Sequence, residues 1–333
     1  MISFLFYLIF LLGFVVVAVY AERKTAAFIQ NRLGPMVVGP KGLLQTIADL
    51  LKMLQKEDIR ANAVDLVPFL VAPFIVFTAV FAGYAVLPMN EVVAGAAIES
   101  GLFFLLAIVS LDVLGILMAG WASNNKYSLF GALRSVAQII SYEIPLGLSV
   151  LCVVIVVGSL DLQIVSSLQN ENGIFGWNVV MHPVLLIPFI IFFVAGLAES
   201  NRTPFDLPES ESELIGGYHT EYSGFRWGMF MLSEYGMMLL LSLLGTILFF
   251  GSWVSPLPNI GSMAFFDLTS GPIWGTFWLL SKAMVLIFLQ MWIRWTLPRL
   301  RVDQLMSLSW KYLTPISIGM LFFCALWKLW WIN

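Results

Sequence analysis

Charge is scarce in this chain. Only 11% of its 333 residues are Asp, Glu, Lys or Arg, 60% are hydrophobic, and the mean hydropathy is +0.91. An ordinary soluble domain carries about 25% charged residues, so the composition excludes one and predicts an all-α polytopic membrane protein. Cysteine and histidine are scarcer still. Cys152 and Cys324 both lie in apolar runs and read as small hydrophobes, not as ligands or a disulfide. His182 and His219 are the only imidazoles. A haem pair or an iron–sulfur cluster is therefore not expected in this chain, nor is a flavin or metal, and any redox chemistry needs partners or a bound organic carrier. There is no clear internal repeat, low-complexity tract or linker, so residues 1–333 read as a single integral domain. The start, MISFLFYLIFLLGFVVVAVYA, has no basic flank or convincing cleavage site and reads as a retained first helix.

What is abundant is apolar length. Eight stretches approach the roughly 20 mainly apolar residues that a spanning helix needs: 2–20, 67–88, 102–123, 135–159, 183–198, 227–252, 272–295 and 309–331. The fifth is the shortest, and the charge-free 172–181 is placed to extend it. Loop lysines and arginines concentrate after helices one, three, five and seven, at about 22–66, 124–134, 199–226 and 296–308. The loops 89–100, 160–181 and 254–271 hold none. The asymmetry predicts that the basic loops face inward and both termini outward. Within the first inner loop Leu43, Leu44, Ile47, Leu50, Leu51 and Leu54 share one helical face opposite Gln45, Asp49, Lys52 and Lys56. At about 15 residues this is an amphipathic helix too short to span, expected along the membrane surface or against a partner subunit. Pro68, Pro73, Pro145 and Pro188 are expected to kink their helices.

Four ionisable residues fall well inside the apolar stretches, away from their ends: Asp112, Glu143, Glu234 and Lys282. Each would cost roughly 2.5–3.5 kcal/mol facing lipid, so about 10 kcal/mol together, and interior positions are expected. Lys282 reads either as a tie to one acid or as part of a charge path. One lysine leaves the remaining acids without a cation.

The densest polar stretch is AESNRTPFDLPESESELIGGYHTEYSGFRWGMFMLSEYG, residues 198–236. It holds seven of the chain's 20 acidic residues, Glu199, Asp206, Glu209, Glu211, Glu213, Glu221 and Glu234, answered only by Arg202 and Arg226. His219 is the nearby group expected to titrate near neutral pH. Pro208 suits the first turn of a helix, which would place Glu209 and Glu213 on one face.

This stretch resembles the signature loop of the quinone-chamber membrane subunit of respiratory complex I, the family of its H-type or first membrane component. So do ERK at 22–24 with NRLGPMVVGPKG, ASNNKYSLFGALRSVAQIISYEIPLG at 122–147, and WIRWTLPRLRVDQLMSLSWKYLTP. The resemblance covers nearly the whole chain and is weakest in the outward loops. It implies a subunit of a proton-translocating NADH:quinone oxidoreductase, with a quinone as substrate and no redox centre of its own. The implied partners are the iron–sulfur and quinone-site peripheral subunits, the antiporter-like and small membrane subunits, and membrane lipid; no nucleic-acid partner is expected. It also implies a carboxylate relay of Glu22, Asp112, Glu143, Glu199, Glu209, Glu211, Glu213, Glu221 and Glu234. Arg23, Arg32, Phe205, Phe225 and Arg226 are the expected quinone tunnel or entrance residues. The expected location is a bacterial plasma membrane in preference to a mitochondrial one. Competing readings are the membrane subunit of an energy-converting hydrogenase, a stand-alone ion-coupled transporter, and a passive scaffold.

Overall fold

The computed structural model describes residues 2–332 except 92, 94, 97, 170–172, 208–213, 258–268 and 270. All regular elements among the described residues are helical, and a helix satisfies its backbone N–H and C=O groups within one segment, away from water. In chain order they are α1 (Ile2–Ile29), α2 (Gln45–Gln55), α3 (Leu66–Gly83), α4 (Gly101–Val109), α5 (Leu111–Ala122), α6 (Lys126–Val157), α7 (Leu162–Ser167), α8 (Asn178–Met181) and α9 (Leu186–Glu199). After the acidic loop come α10 (Gly224–Phe249), α11 (Pro272–Thr296), α12 (Val302–Ser307) and α13 (Thr314–Trp327), with a π-turn at Leu308–Leu313 joining the last two.

Among the described residues seven helical segments are long and apolar enough to cross a membrane, and Pro183–Glu199 is a shorter apolar eighth. The expected eight stretches are therefore all helical. The fifth differs from expectation at its start. Residues 178–181 form a separate turn, because His182 ahead of Pro183 adopts a non-helical backbone (φ −123°, ψ 85°) and the helix cannot run through. Fourteen residues make α9 about 21 Å long, short of the roughly 30 Å hydrocarbon core. The chain beyond Glu199 consequently folds back into the bundle, and Ser200, Asn201, Arg202, Phe205 and Asp206 are all buried. The third span is also interrupted: the Ser110 hydroxyl donates to Ala107 O at 2.9 Å, tightening a turn between α4 and α5. Asp112 thus sits in the first turn of α5.

Two of the four predicted proline kinks are corrected. Pro73 and Pro145 lie inside α3 and α6, whereas Pro68 and Pro188 fall in the first turns of α3 and α9. First-turn N–H groups have no intrahelical partner, so proline removes nothing there.

The bundle is organised around α10. In its most apolar window 89% of residues are buried, against 22–56% in the other long spans. It packs against α3, α9 and α11, while α6 packs against α5, α9 and α13. The amphipathic helix forms as α2, at 11 residues. Leu43, Leu44, Ile47, Leu51 and Leu54 remain exposed, and Thr46 is the side chain it buries. Its other flank packs on α1 and α10.

Candidate functional site

The acidic loop is held against α6 by backbone approaches that only small residues permit. A Cβ at Gly131 would stand 2.6 Å from Gly217 Cα and 2.9 Å from Tyr218 N. Ser128 Oγ donates to Tyr218 O at 3.0 Å in the same contact. Gln138 Nε2 donates to Ala198 O at 2.7 Å and to Asn201 Oδ1 at 3.2 Å. Further along, Tyr222 stacks on Phe69 with ring centroids 4.1 Å apart and donates to Phe69 O at 3.1 Å. The described ends of the loop, at 198–201 and 217–222, are therefore bonded to α3 and α6 and belong to the packed interior.

Within it, Arg202 is the hub of a buried ionic cluster. Its Nη1 donates to both carboxylate oxygens of Glu22 on α1, at 3.1 and 2.9 Å. Its Nε stands 2.9 Å from Glu234 Oε1 on α10, an ion pair whose angle falls short of a hydrogen bond. The guanidinium lies over the Tyr235 ring at 4.3 Å, and Tyr235 donates its hydroxyl to Glu22 at 2.7 Å. Arg294 on α11 also donates to Glu22. Beside them Arg299 donates to Asp206 at 3.0 Å. Three carboxylates thus meet three guanidiniums, which removes most of the cost of burying either alone. Burial nevertheless outweighs Arg299 and the other arginines at Asp206, and raises its pKa.

Next to this cluster the balance is absent. Asp112 on α5 and Glu199 at the end of α9 are both buried, and Asp112 Oδ1 and Glu199 Oε2 have no hydrogen-bond partner among the described residues. Both line a cavity of about 10 Å³ that Glu234, Ser233, Asn201 and Tyr218 also border. That is roughly the room one water needs, and a site with polar walls is one that water can occupy. Glu199 lies within electrostatic range of Asp112 and of Glu143 on α6. Glu143 itself is only half-buried, on the outer side of this group. The arrangement runs from a charge-balanced cluster at Glu22 and Glu234, across one small polar cavity, to carboxylates with no guanidinium beside them.

The remaining predicted residues distribute unevenly. Glu221 accepts from Asn125 Nδ2 at 2.6 Å at the start of α6. Glu209, Glu211 and Glu213, and the helix start expected at Pro208, lie outside the described residues. Arg23 donates to Asp49 on α2 at 2.6 Å; burial raises the Asp49 pKa, but the Arg23 hydrogen bond and charge more than offset this and hold it below the usual value. Arg32 and Phe225 are exposed on the loop side of the bundle. Arg226 pairs with Asp58 at 2.9 Å. Phe205 is packed in the core, its ring centroid 5.2 Å from that of Tyr142 in an edge-to-face contact. The expectation for His219 is corrected: burial lowers its pKa to about 4, so it is neutral at pH 7 and does not titrate there.

Arg202, Asp206, Tyr235, Arg294 and Arg299 were not selected as site residues from sequence. The signal for Arg202 was present, as a cation within a dense acidic stretch. Its pairing with Glu22 spans 180 positions and has no local trace.

The family model described as NADH dehydrogenase matches residues 2–325. The second H-type subunit of the NADH-quinone oxidoreductase of Cytophaga hutchinsonii is 51% identical over 358 aligned positions, covering 98% of each chain. The H-type subunit of Chlorobium luteolum is 52% identical over 312, covering 93% of this chain and 84% of its own. That of Brevibacillus brevis is 49% identical over 307, covering 92% and 86%. A match this long at this identity leaves one assignment, and the chain belongs to the NADH dehydrogenase family, as a multi-pass membrane protein similar to the bacterial H-type subunit of NADH-quinone oxidoreductase.

Proposed function

We propose that this chain is the membrane subunit of a proton-translocating NADH:quinone oxidoreductase that builds the quinone chamber with peripheral subunits and passes the charge change of quinone reduction into the membrane. The relatives' names support a quinone as substrate over the proton of a hydrogenase. The carrying observation is the junction between the balanced cluster and the unbalanced acids through the small cavity at Glu234, Asp112 and Glu199. Reduction of a quinone to the quinol consumes protons, so a negative charge appearing at the loop draws protons along carboxylates that can exchange them. Glu22 is poorly suited to exchange, because Arg202, Arg294 and Tyr235 all donate to its charged form. It acts as a fixed charge that orients Arg202. Glu234 is the crossing point, bordering both Arg202 and the cavity. Glu199, Asp112 and then Glu143 continue the path.

In this reading the basic loops face the cytoplasm, both termini face outward, and Glu143, half-exposed in mid-span, hands over to a neighbouring membrane subunit. Arg23 and Arg32 stand by the chamber entrance beside α2, and the loop around Glu209, Glu211 and Glu213 faces the peripheral subunits. Electrons come from an iron–sulfur centre of a partner.

The test is Glu199→Gln in membranes that assemble the whole complex, with NADH-to-quinone electron flow and proton uptake measured together. The path predicts coupled turnover reduced at least tenfold. Parental turnover with parental uptake would remove Glu199 from it.

A further inference from the structure

Of the four ionisable residues lying well inside the apolar stretches, Lys282 is the one that the relay leaves unused, and its surroundings differ from those of the acids. Four backbone carbonyls in the turn that follows α10 lie within hydrogen-bond distance of its Nζ and share its three N–H donors: Phe250 at 2.8 Å, Gly251 at 3.3 Å, Ser252 at 2.9 Å and Val254 at 2.7 Å. The ring of Trp177 lies 5.0 Å away. No carboxylate of the described residues forms an ion pair with it. An ammonium has three donors and no acceptor, whereas a neutral amine would aim a lone pair at a carbonyl oxygen. Four acceptors converging on one nitrogen therefore select the cation, in the way that rings of carbonyls replace an ion's hydration shell. The sequence reading that Lys282 ties to an acid is not what these contacts show.

The turn does not depend on the lysine for its shape. Gly251 and Ser252 adopt φ of 73° and 43°, the left-handed region. A Cβ at Gly251 would stand 2.3 Å from Trp177 Cδ1, so only glycine fits. Gln169 holds the turn from the opposite side, accepting from Gly251 N at 2.9 Å while donating to Ile247 O at 2.8 Å. Ser166 donates to the Ser252 hydroxyl at 2.9 Å. The carbonyl cage is preorganised by groups other than the charge it surrounds. It also lies far from the carboxylates: 16 residues of α10 and its turn separate Glu234 from Phe250, about 24 Å at 1.5 Å per residue.

We propose that the 250–254 turn is a monovalent-cation site that the chain fills with its own Lys282 ammonium, and that it binds a free primary alkylammonium when that side chain is cut back. Lys282 is thereby a fixed charge and a tether of α11 to the end of α10, outside the proton path. The experiment uses the assembled complex carrying Lys282→Ala, which deletes the four-atom arm that n-propylammonium reproduces. Thermal unfolding midpoints are followed as n-propylammonium chloride or tetramethylammonium chloride is added at constant ionic strength. The expected result is a lowered midpoint that n-propylammonium raises saturably and tetramethylammonium, which has no N–H, does not; the parent complex responds to neither. A parental midpoint in the variant, or equal rescue by both ions, overturns the proposal. If Lys282→Ala does not assemble, membrane levels of Lys282→Arg and Lys282→Gln decide. Higher assembly with Arg supports a site for cations, and assembly of Gln equal to or above Arg overturns it.

Discussion

Removal of Arg202 is the sharpest perturbation of the ionic cluster. The guanidinium lies 2.9 Å from a carboxylate oxygen of Glu22 and 2.9 Å from one of Glu234. At an effective dielectric of about 20 each contact is worth about 6 kcal/mol of Coulomb attraction, offset by several kcal/mol per ion of lost hydration. The pairs are therefore of modest net value, but breaking one by removing a single partner costs about 3–5 kcal/mol, because the other partner stays buried. Arg202→Met leaves Glu22 with Arg294 and Tyr235. Glu234 is left without its 2.9 Å guanidinium. Most of the cost consequently sits on Glu234, and Arg202→Met combined with Glu234→Gln should recover at least about 1 kcal/mol relative to additivity. The assay is the thermal unfolding midpoint of the assembled complex for the parent, both single variants and the double variant. Additive effects within about 0.5 kcal/mol would refute the coupling, and with it the description of Arg202 as the hub.

Three further outcomes follow from individual contacts. Gly131→Ala drives a Cβ into the Gly217–Tyr218 backbone, which has no flexible end to yield, and should cost about 1–3 kcal/mol and increase protease or hydrogen-exchange access to the 214–222 loop; an unchanged loop would contradict the close approach. His219 is held neutral in the fold, its pKa lowered by burial from 6.5 to about 4. As pH falls through that interval the unfolded imidazole takes a proton that the folded one refuses, so stability drops, by about 3 kcal/mol in full at 1.36 kcal/mol per pH unit. His219→Gln should lose that part of the pH dependence between 6.5 and 4, with an unaltered profile as the contrary result. Asp49→Asn breaks a surface pair with Arg23 and should change stability by no more than about 1 kcal/mol, so a larger change in quinone affinity than in midpoint would place this pair at the chamber entrance.

The spans were legible because membrane crossing is a matter of apolar length, which composition carries directly. The acidic stretch was legible as a site because clustered carboxylates beside apolar helices are costly unless used or paired. What the residues did not reveal was pairing across distance. Glu22 was expected in the relay by resemblance, but its three donors come from positions 202, 235 and 294. Local cues also misled where burial decides: His219 carries an ordinary imidazole in sequence and a neutral one in the fold. Pro68 and Pro188 showed the same limit, since a proline kinks a helix only once the helix start has been fixed a full turn earlier. Lys282 was read against carboxylates because those are the usual partners of a buried lysine, and its carbonyl cage depends on a turn with two left-handed residues that no periodicity announces.

The central claim is that protons move along Glu234, Glu199, Asp112 and Glu143. Glu143 tests it most directly, since it stands last in the series and makes no ion pair among the described residues, so that its loss should not unbalance the cluster. In membranes carrying Glu143→Gln, with assembly of the complex verified, NADH-to-quinone electron flow and proton uptake are measured side by side. The account predicts intact assembly with collapsed coupled turnover. Parental rate with parental pumping would make Glu143 a structural acid and contradict the path drawn through it.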